Sequence, residues 1–497
     1  MQKSNNFWKG TTLFALVIYL AFAFSFILLG KANADEGWYL YASKLVYEGQ
    51  LPYQDFAYTQ TPLLPYVYGI AQKIFSPSIY LGRIVTSFFS FAALIFSVSI
   101  ARKYSGEKAG AITALLWATF TYGIYYQSIT KTYALTTLFF VLALFSLVSE
   151  SSQQQRLVAS TTFVLLATLT RLSALFFAIP IIAYTFIRAK KRTKFVIIAL
   201  CLIAFSWVML LAYPNVEGIK WNLLAHHTDQ WNNLSYAEQI AEIVSYRLPT
   251  LFAVFPSYFL LIFAIVLLGL KQIRFCLQRN PGSLAAIAAF LFFMFPHLAT
   301  GGFHTEYFVP FLFGLFPLIG IIYVEVYQQQ NRSSKLILQV FLLSTLVLGL
   351  LRGGLFYWDF SDGQLPVEEI KEVAIFVSNN TSPEDQIYAL EALWVVLEAH
   401  RRTVPNMTMA QFSFFTGNTN AATKLNLVND QVTLDYITNT IPKLVILTDA
   451  DWMILHRTAS FHQIVFALEE NYELLLEKET FGQGEAGVKV YLRKEDN

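Results

Sequence analysis

The sequence predicts a polytopic α-helical membrane protein with about eleven transmembrane helices, followed by a C-terminal extracytoplasmic α/β domain. Three observations lead there. Of the 497 residues, 55% are hydrophobic and only 14% charged, against roughly a quarter charged in soluble domains, so a soluble globular enzyme is ruled out. About eleven stretches run without Asp, Glu, Lys or Arg for most of the length that a hydrocarbon core demands. From about residue 360 the apolar content falls, and helical and strand patterns alternate.

The apolar stretches lie at approximately 11–29, 84–101, 109–127, 132–149, 157–170, 172–187, 195–213, 249–270, 284–300, 307–324 and 336–351. The fifth and sixth are divided only by Arg171; reading them as one helix would invert everything downstream. Charge decides between the two readings. With eleven spans and the N-terminus inside, the short inner loops collect Lys3, Lys9, Arg102, Lys103, Lys108, Arg156, the Arg188–Lys194 cluster, Lys271, Arg274, Arg279, Arg332 and Lys335. The longer outer segments hold far fewer, so the positive-inside rule supports N-inside, C-outside and two helices around Arg171. Lys3, Lys9, an apolar run and Ala32-Asn33-Ala34 resemble a secretory signal, but the run exceeds the 7–15 residues of a signal core and reads as an uncleaved anchor.

This layout divides the chain into a membrane domain over 1–355, with outer loops at about 30–83 and 214–248, and a soluble domain over 360–497. In the first loop, Ala42, Leu45 and Val46 keep helical spacing until Gly49 and Pro52, and Leu64, Val67, Tyr68 and Ala71 mark a second amphipathic stretch. Both read as interfacial helices, and Trp38, Tyr39, Tyr41, Tyr47, Tyr53, Phe56 and Tyr58 suit the headgroup level. In the tail, 367–377 is helical in spacing, and 386–390, 443–448, 472–476 and 488–492 are strand-like.

The net charge of +2, from 35 basic and 33 acidic residues, gives no field to hold a polyanion, which argues against nucleic acid as a partner. Cys201 and Cys276 form neither a disulfide framework nor a metal motif. No phosphate-binding G-x-x-x-x-G-K-[ST] occurs, and the brief inner loops are too small for a nucleotide pocket. An enzyme working on the outer face would therefore need a lipid-carried donor.

Asp35 and Glu36 place two carboxylates just past the first helix, at membrane level. A hydroxyl attacking an anomeric carbon needs a general base, and a second carboxylate can orient the acceptor or raise the basicity of the first. An ordinary solvated helix end would look the same. The wider segment says more: Asp35-Glu36-Gly-Trp-Tyr-Leu-Tyr-Ala42, Glu48-Gly-Gln-Leu-Pro-Tyr-Gln-Asp-Phe56, Pro62 and Arg83. It resembles the first outer loop of the type C (GT-C) membrane glycosyltransferases, in the branch of protein O-mannosyltransferases and aminoarabinose transferases. Gly302-Phe-His304-Thr-Glu306-Tyr307-Phe-Val-Pro310, the many-helix layout and the outer tail extend the resemblance.

The resemblance implies inverting transfer of a hexosyl or pentosyl unit from a polyprenyl-phosphate donor, with Asp35 at the catalytic acidic position and Glu36 as second member of the pair. It also implies basic residues at the donor phosphate, for which Arg171, Arg83 and Lys131 stand at expected outer helix ends. Snorkelling anchors are the alternative for each. Tyr53, Asp55, His304, Glu306 and Tyr307 are candidate cleft residues, although 49–55 also reads as a turn. His304 with Glu306, and His226, His227 and Asp229, have spacings open to a metal, but neither matches a strong motif, and a structural role is favoured over a divalent cofactor. The acceptor stays open among glycolipid, polysaccharide and protein. A lipid or solute transporter is the main rival; it would place ionisable residues at the helix centres, which here hold essentially none, whereas the acidic chemistry gathers on one face. An outer receptor module on a membrane anchor would not need eleven helices.

Overall fold

The computed structural model describes residues 2–213, 215–225, 228, 231, 233–279, 281–299, 301–358, 365–439, 441–483 and 486–494. The first helix, α1 (Gln2–Leu29), is followed by α2 (Ala34–Tyr47) and α3 (Leu63–Phe75), then by α4 (Ile79–Thr119), α5 (Thr121–Tyr126) and α6 (Thr132–Val148). Next come α7 (Gln153–Thr170), α8 (Ala174–Arg188) and α9 (Lys191–Ala212); further apolar helices span Pro256–Arg279, Pro281–Leu298, Val309–Gln329 and Arg332–Tyr357. At 1.5 Å rise per residue, α1 reaches about 40 Å, more than a hydrocarbon core.

Each of the eleven expected apolar stretches lies wholly or mainly on helix. Six helices among the described residues are long and apolar enough to cross a membrane, and 132–148, 174–188 and 282–298 are shorter apolar helices. The second and third stretches share α4, which bends where Ser105 and Gly106 leave helical geometry. Gly106 takes φ +75°, the left-handed region that a side chain would disfavour. The division at Arg171 is real: the chain leaves α7 there in extended conformation, φ −148° and ψ 122°, before α8 begins. Apolar side chains of α1, α4, α6, α8 and the later helices make one core, with Tyr19 donating to Ser90 at 2.5 Å across α1 and α4.

The C-terminal region carries a five-stranded sheet of β1 (Gln386–Ala389), β2 (Arg402–Thr403), β3 (Leu444–Thr448), β4 (Tyr472–Phe481) and β5 (Ala486–Arg493). Its order is β2-β1-β3-β5-β4; β2, β1 and β3 run parallel, and β5 is antiparallel to both β3 and β4. Four strands and the helix Pro366–Asn379 fall where the sequence put them, while the two-residue β2 is too short to leave a pattern. Strand alternation splits the sheet between two cores. Tyr388, Leu390, Val445 and Leu447 face one. Ile387, Ala389, Leu444, Ile446, Val488 and Val490 face the other, which they share with Trp38, Leu40, Tyr41, Ala42 and Leu45 of α2.

That shared core corrects one expectation. Trp38, Tyr39, Tyr41, Tyr53, Phe56 and Tyr58 do not meet headgroups; they are buried beneath the sheet domain. The reason is packing on both sides of α2. Gly37 lies so close to the next domain that a Cβ there would stand 2.8 Å from the Trp394 backbone nitrogen. The interfacial pattern belongs to α3 alone, where Ile70, Ile74 and Phe75 are exposed.

Candidate active site

Four connecting segments converge where α2 begins. Asn33 caps α2, its side-chain oxygen accepting from the Asp35 amide at 3.2 Å, so Asp35 and Glu36 occupy the first turn, where a helix favours negative charge. The other three are the turn from α5 to α6, the break between α7 and α8, and the short turn Thr305–Phe308.

The two adjacent carboxylates diverge. Asp35 keeps a side chain 29% exposed; its Oδ1 accepts from the Trp38 indole at 3.0 Å and its Oδ2 lies 2.8 Å from the Lys131 ammonium. Lys131 is itself buried and reaches Glu306 at 3.7 Å, so one cation bridges two acids from separate segments. Burial pushes the Asp35 carboxyl up, but Lys131, the Trp38 bond and His304 outweigh it and hold the carboxyl below its ordinary value. Burial alone would push Lys131 down, and Asp35, Tyr133 and Glu306 hold it well above its ordinary value. At neutral pH the pair is an ion pair.

Glu36 is 2% exposed and takes a two-pronged grip from Arg83, Nε at 2.9 Å and Nη2 at 2.7 Å, plus the Thr130 amide at 3.3 Å. Arg83 is fully buried, and its remaining hydrogen bonds go to the carbonyls of Phe26, Ile27, Gly30 and Lys31 at the end of α1. Expected at the donor phosphate, Arg83 instead stands inside the protein with all three guanidinium nitrogens engaged. Glu36, expected in the catalytic pair, is its counter-ion.

Arg171 lies between two aromatic rings, 5.1 Å from the Tyr133 centroid and 4.8 Å from that of Tyr307. Its Nε donates to Ser173 at 3.0 Å and its Nη1 to Thr132 at 2.8 Å. For Nη2 no protein acceptor is found among the described residues. His304, which precedes the 305–308 turn, meets the Tyr307 ring edge-on, centroids 5.2 Å apart. Lys131, Arg171, Glu306, Tyr307 and His304 are thus brought to Asp35. Tyr53 and Asp55 are not: Asp55 closes its own turn by accepting from the Leu51 amide at 2.7 Å, and the Tyr53 hydroxyl donates to the Gln60 carbonyl. His226, His227 and Asp229 lie outside the described residues.

Trp38, Tyr133 and Thr132 escaped the sequence reading as site residues. Trp38 had a legible signal, three positions after Asp35 on one helix face; Tyr133 and Thr132 gave none, because their role depends on Arg171 arriving from another helix. Among the described residues no three His, Cys, Asp or Glu side chains gather for a metal. The Lys131 ammonium holds the place between Asp35 and Glu306 that a metal bridging these two acids would need.

Residues 59–210 match the family described as dolichyl-phosphate-mannose-protein mannosyltransferase, a span that contains Arg83, Lys131 and Arg171. No curated protein matches the chain by sequence. Among solved structures, ArnT from Cupriavidus metallidurans bound to undecaprenyl phosphate superposes with a TM-score of 0.62 at 13% identity, covering 98% of each chain. Its apo state gives 0.58 at 12% identity with the same coverage. The Archaeoglobus fulgidus oligosaccharyltransferase in complex with Zn and sulfate gives 0.50 at 14%, over 93% of this chain and 71% of that one. The resemblance read from the sequence is borne out: the chain has the membrane fold of the type C glycosyltransferases over almost its whole length.

Proposed function

We propose that this protein is a membrane glycosyltransferase that moves a sugar from a polyprenyl-phosphate donor to a hydroxyl acceptor at the outer face of the cytoplasmic membrane. The single observation that carries this reading is the partly exposed Asp35 carboxylate, ion-paired to Lys131 and joined to the site of Arg171 through Tyr133. The family matched by residues 59–210 is named for a dolichyl-phosphate sugar donor, and the ArnT structure holds undecaprenyl phosphate. A transporter is not favoured, since the buried charges cluster at one end of the helices rather than along a path through them.

In this reading the acceptor hydroxyl attacks the anomeric carbon from the side opposite the phosphate, with inversion. The bond from that carbon to the phosphate oxygen breaks, and the electron pair leaves with polyprenyl phosphate. Asp35 takes the hydroxyl proton. Arg171, with one nitrogen still unpaired, and Lys131 neutralise charge growing on the leaving phosphate. His304, Glu306 and Tyr307 line the cleft. Glu36 and Arg83 act one step back: by tying α1, α2, α4 and the 127–131 turn together they fix where Asp35 and Lys131 stand.

Residues 1–355 form the membrane domain and 360–497 the outer domain. Cysteine labelling checks this: Arg192→Cys should be protected from an impermeant reagent added outside and Asn420→Cys should react, and protection of position 420 would contradict an outer-face enzyme. The chemistry is tested by incubating purified protein with polyprenyl-phosphate mannose, and then with other polyprenyl-phosphate hexoses and pentoses, together with the lipid and glycan fraction of its own membrane. Acceptor-dependent release of polyprenyl phosphate is expected, and no release from any of these donors would contradict the reading.

A further inference from the structure

At the end away from Asp35, the membrane helices carry many more cations than acids. The acids there are Glu107, Glu150 and Glu325, and each already has a partner: Arg102 at 2.5 Å, Lys103 at 3.5 Å and the Ser105 hydroxyl at 2.7 Å. Among the described residues, Lys108 and Lys335 pair with no carboxylate and meet one aromatic ring instead. Lys108 Nζ stands 3.7 Å and Lys335 Nζ 5.5 Å from the Tyr327 centroid, and Lys108 Nζ is also 5.5 Å from the Trp8 ring.

Four helices supply these side chains: Trp8 comes from α1, Lys108 from α4 just past its bend at Gly106, Tyr327 from Val309–Gln329 and Lys335 from Arg332–Tyr357. Both lysines are partly buried, so their mutual repulsion is less screened than it would be in open water. Arg332 and Lys335 also open a helix whose first turn holds no acid, the end at which a helix favours negative charge. An ammonium over a ring face still has N–H groups to donate. The setting calls for an anion. Leu13 and Phe14 of α1, and Leu336 and Val340 of the helix Arg332–Tyr357, are all more than half exposed, so apolar surface runs on from the cations along both helices. A free anion has no use for that surface, whereas a lipid does.

We propose that Lys108 and Lys335, flanked by Trp8 and Tyr327, hold the phosphate of an anionic lipid headgroup in the leaflet opposite the candidate active site, with the lipid chains lying along Leu13, Phe14, Leu336 and Val340. The phosphate accepts from both ammoniums and supplies the counter-charge that the protein lacks there. It also ties the helix Arg332–Tyr357, most of whose apolar surface is uncovered, to α1 and α4. With the N-terminus inside, that leaflet is the cytoplasmic one. The site is separate from Asp35, and its test needs no sugar donor.

The test uses full-length protein purified in detergent and stripped of lipid, with phosphatidylglycerol or phosphatidylcholine added back; native mass spectrometry reads binding and a thermal melt reads stability. Phosphatidylglycerol should bind in preference to phosphatidylcholine and raise the unfolding midpoint. Lys108→Gln and Lys335→Gln should each weaken its binding about fivefold, and together about 25-fold, the worth of one and of two basic contacts with anionic lipid. Lys191→Gln with Arg192→Gln, which removes two exposed charges from the same end, should leave binding nearly unchanged. Should the double lysine variant fail to fold, the single variants and the wild-type comparison of the two lipids decide. Equal binding of both lipids overturns the proposal, as does an equal loss in the Lys191 and Arg192 variant, which would show diffuse attraction instead of a site. A midpoint rise reproduced by inorganic phosphate alone would overturn the lipid as occupant.

Discussion

Asp35 and Glu36 are consecutive residues with the same functional group, and the fold treats them in opposite ways. Glu36 points inward, is closed off from solvent, and meets a guanidinium that matches both its oxygens and then reaches on to four carbonyls at the end of α1. Asp35 points to the cleft, keeps part of its surface open, and meets a single ammonium that it shares with Glu306. An Arg fork is planar and always charged, whereas a Lys head is a compact charge on a flexible stem. The first pairing suits a fixed joint between segments, and the second suits a site where charges must rearrange around a substrate. A pair of acids in sequence therefore does not mean a pair of acids in chemistry.

The largest effect should come from breaking the inner joint. Arg83→Ala leaves Glu36 buried without its partner, which should cost about 3–5 kcal/mol of stability. A chemical or thermal melt in detergent checks it, and a change under 1 kcal/mol would mean the joint is not structural. Next is the donor side. Arg171→Ala should lower kcat/KM for the lipid donor by about 1.5–3 kcal/mol, the worth of a hydrogen bond to a charged group. Arg171→Lys should regain part of this and the melt should barely move; unchanged donor kinetics would leave Arg171 an interfacial anchor and pass the role to Lys131. The smallest effect concerns pH. Because Asp35 is held below its ordinary value, its base form persists under mild acid, and turnover should stay level from pH 7 to about 5. A loss of kcat centred near pH 6 would show that Asp35 is not the group being titrated.

Much of this frame was legible in the sequence because it depends on local pattern. Charge-free runs gave the helices, Arg171 divided α7 from α8 through loop charge alone, and strand-like runs at 386–390, 443–448 and 488–492 matched the sheet. What stayed hidden depends on distant partners. Glu36 could be separated from Asp35 only by knowing that Arg83, 47 positions on, turns back to the end of α1. The burial of Trp38 and Tyr41 followed from the sheet domain closing over α2, and an aromatic-rich helix at a membrane edge looks the same whether lipid or protein covers it. Asp55 had the polarity of a cleft residue, but it closes its own turn.

The most direct test compares the two acids side by side, measuring turnover with a polyprenyl-phosphate sugar and the unfolding midpoint for Asp35→Asn and Glu36→Gln in the same detergent. Asp35→Asn should fold like wild type, still bind the donor, and lose about 10²–10⁴ in kcat, the range for removal of a general base. Glu36→Gln should keep more of its turnover at low temperature while its midpoint falls clearly. Wild-type turnover in a folded Asp35→Asn protein would contradict the account.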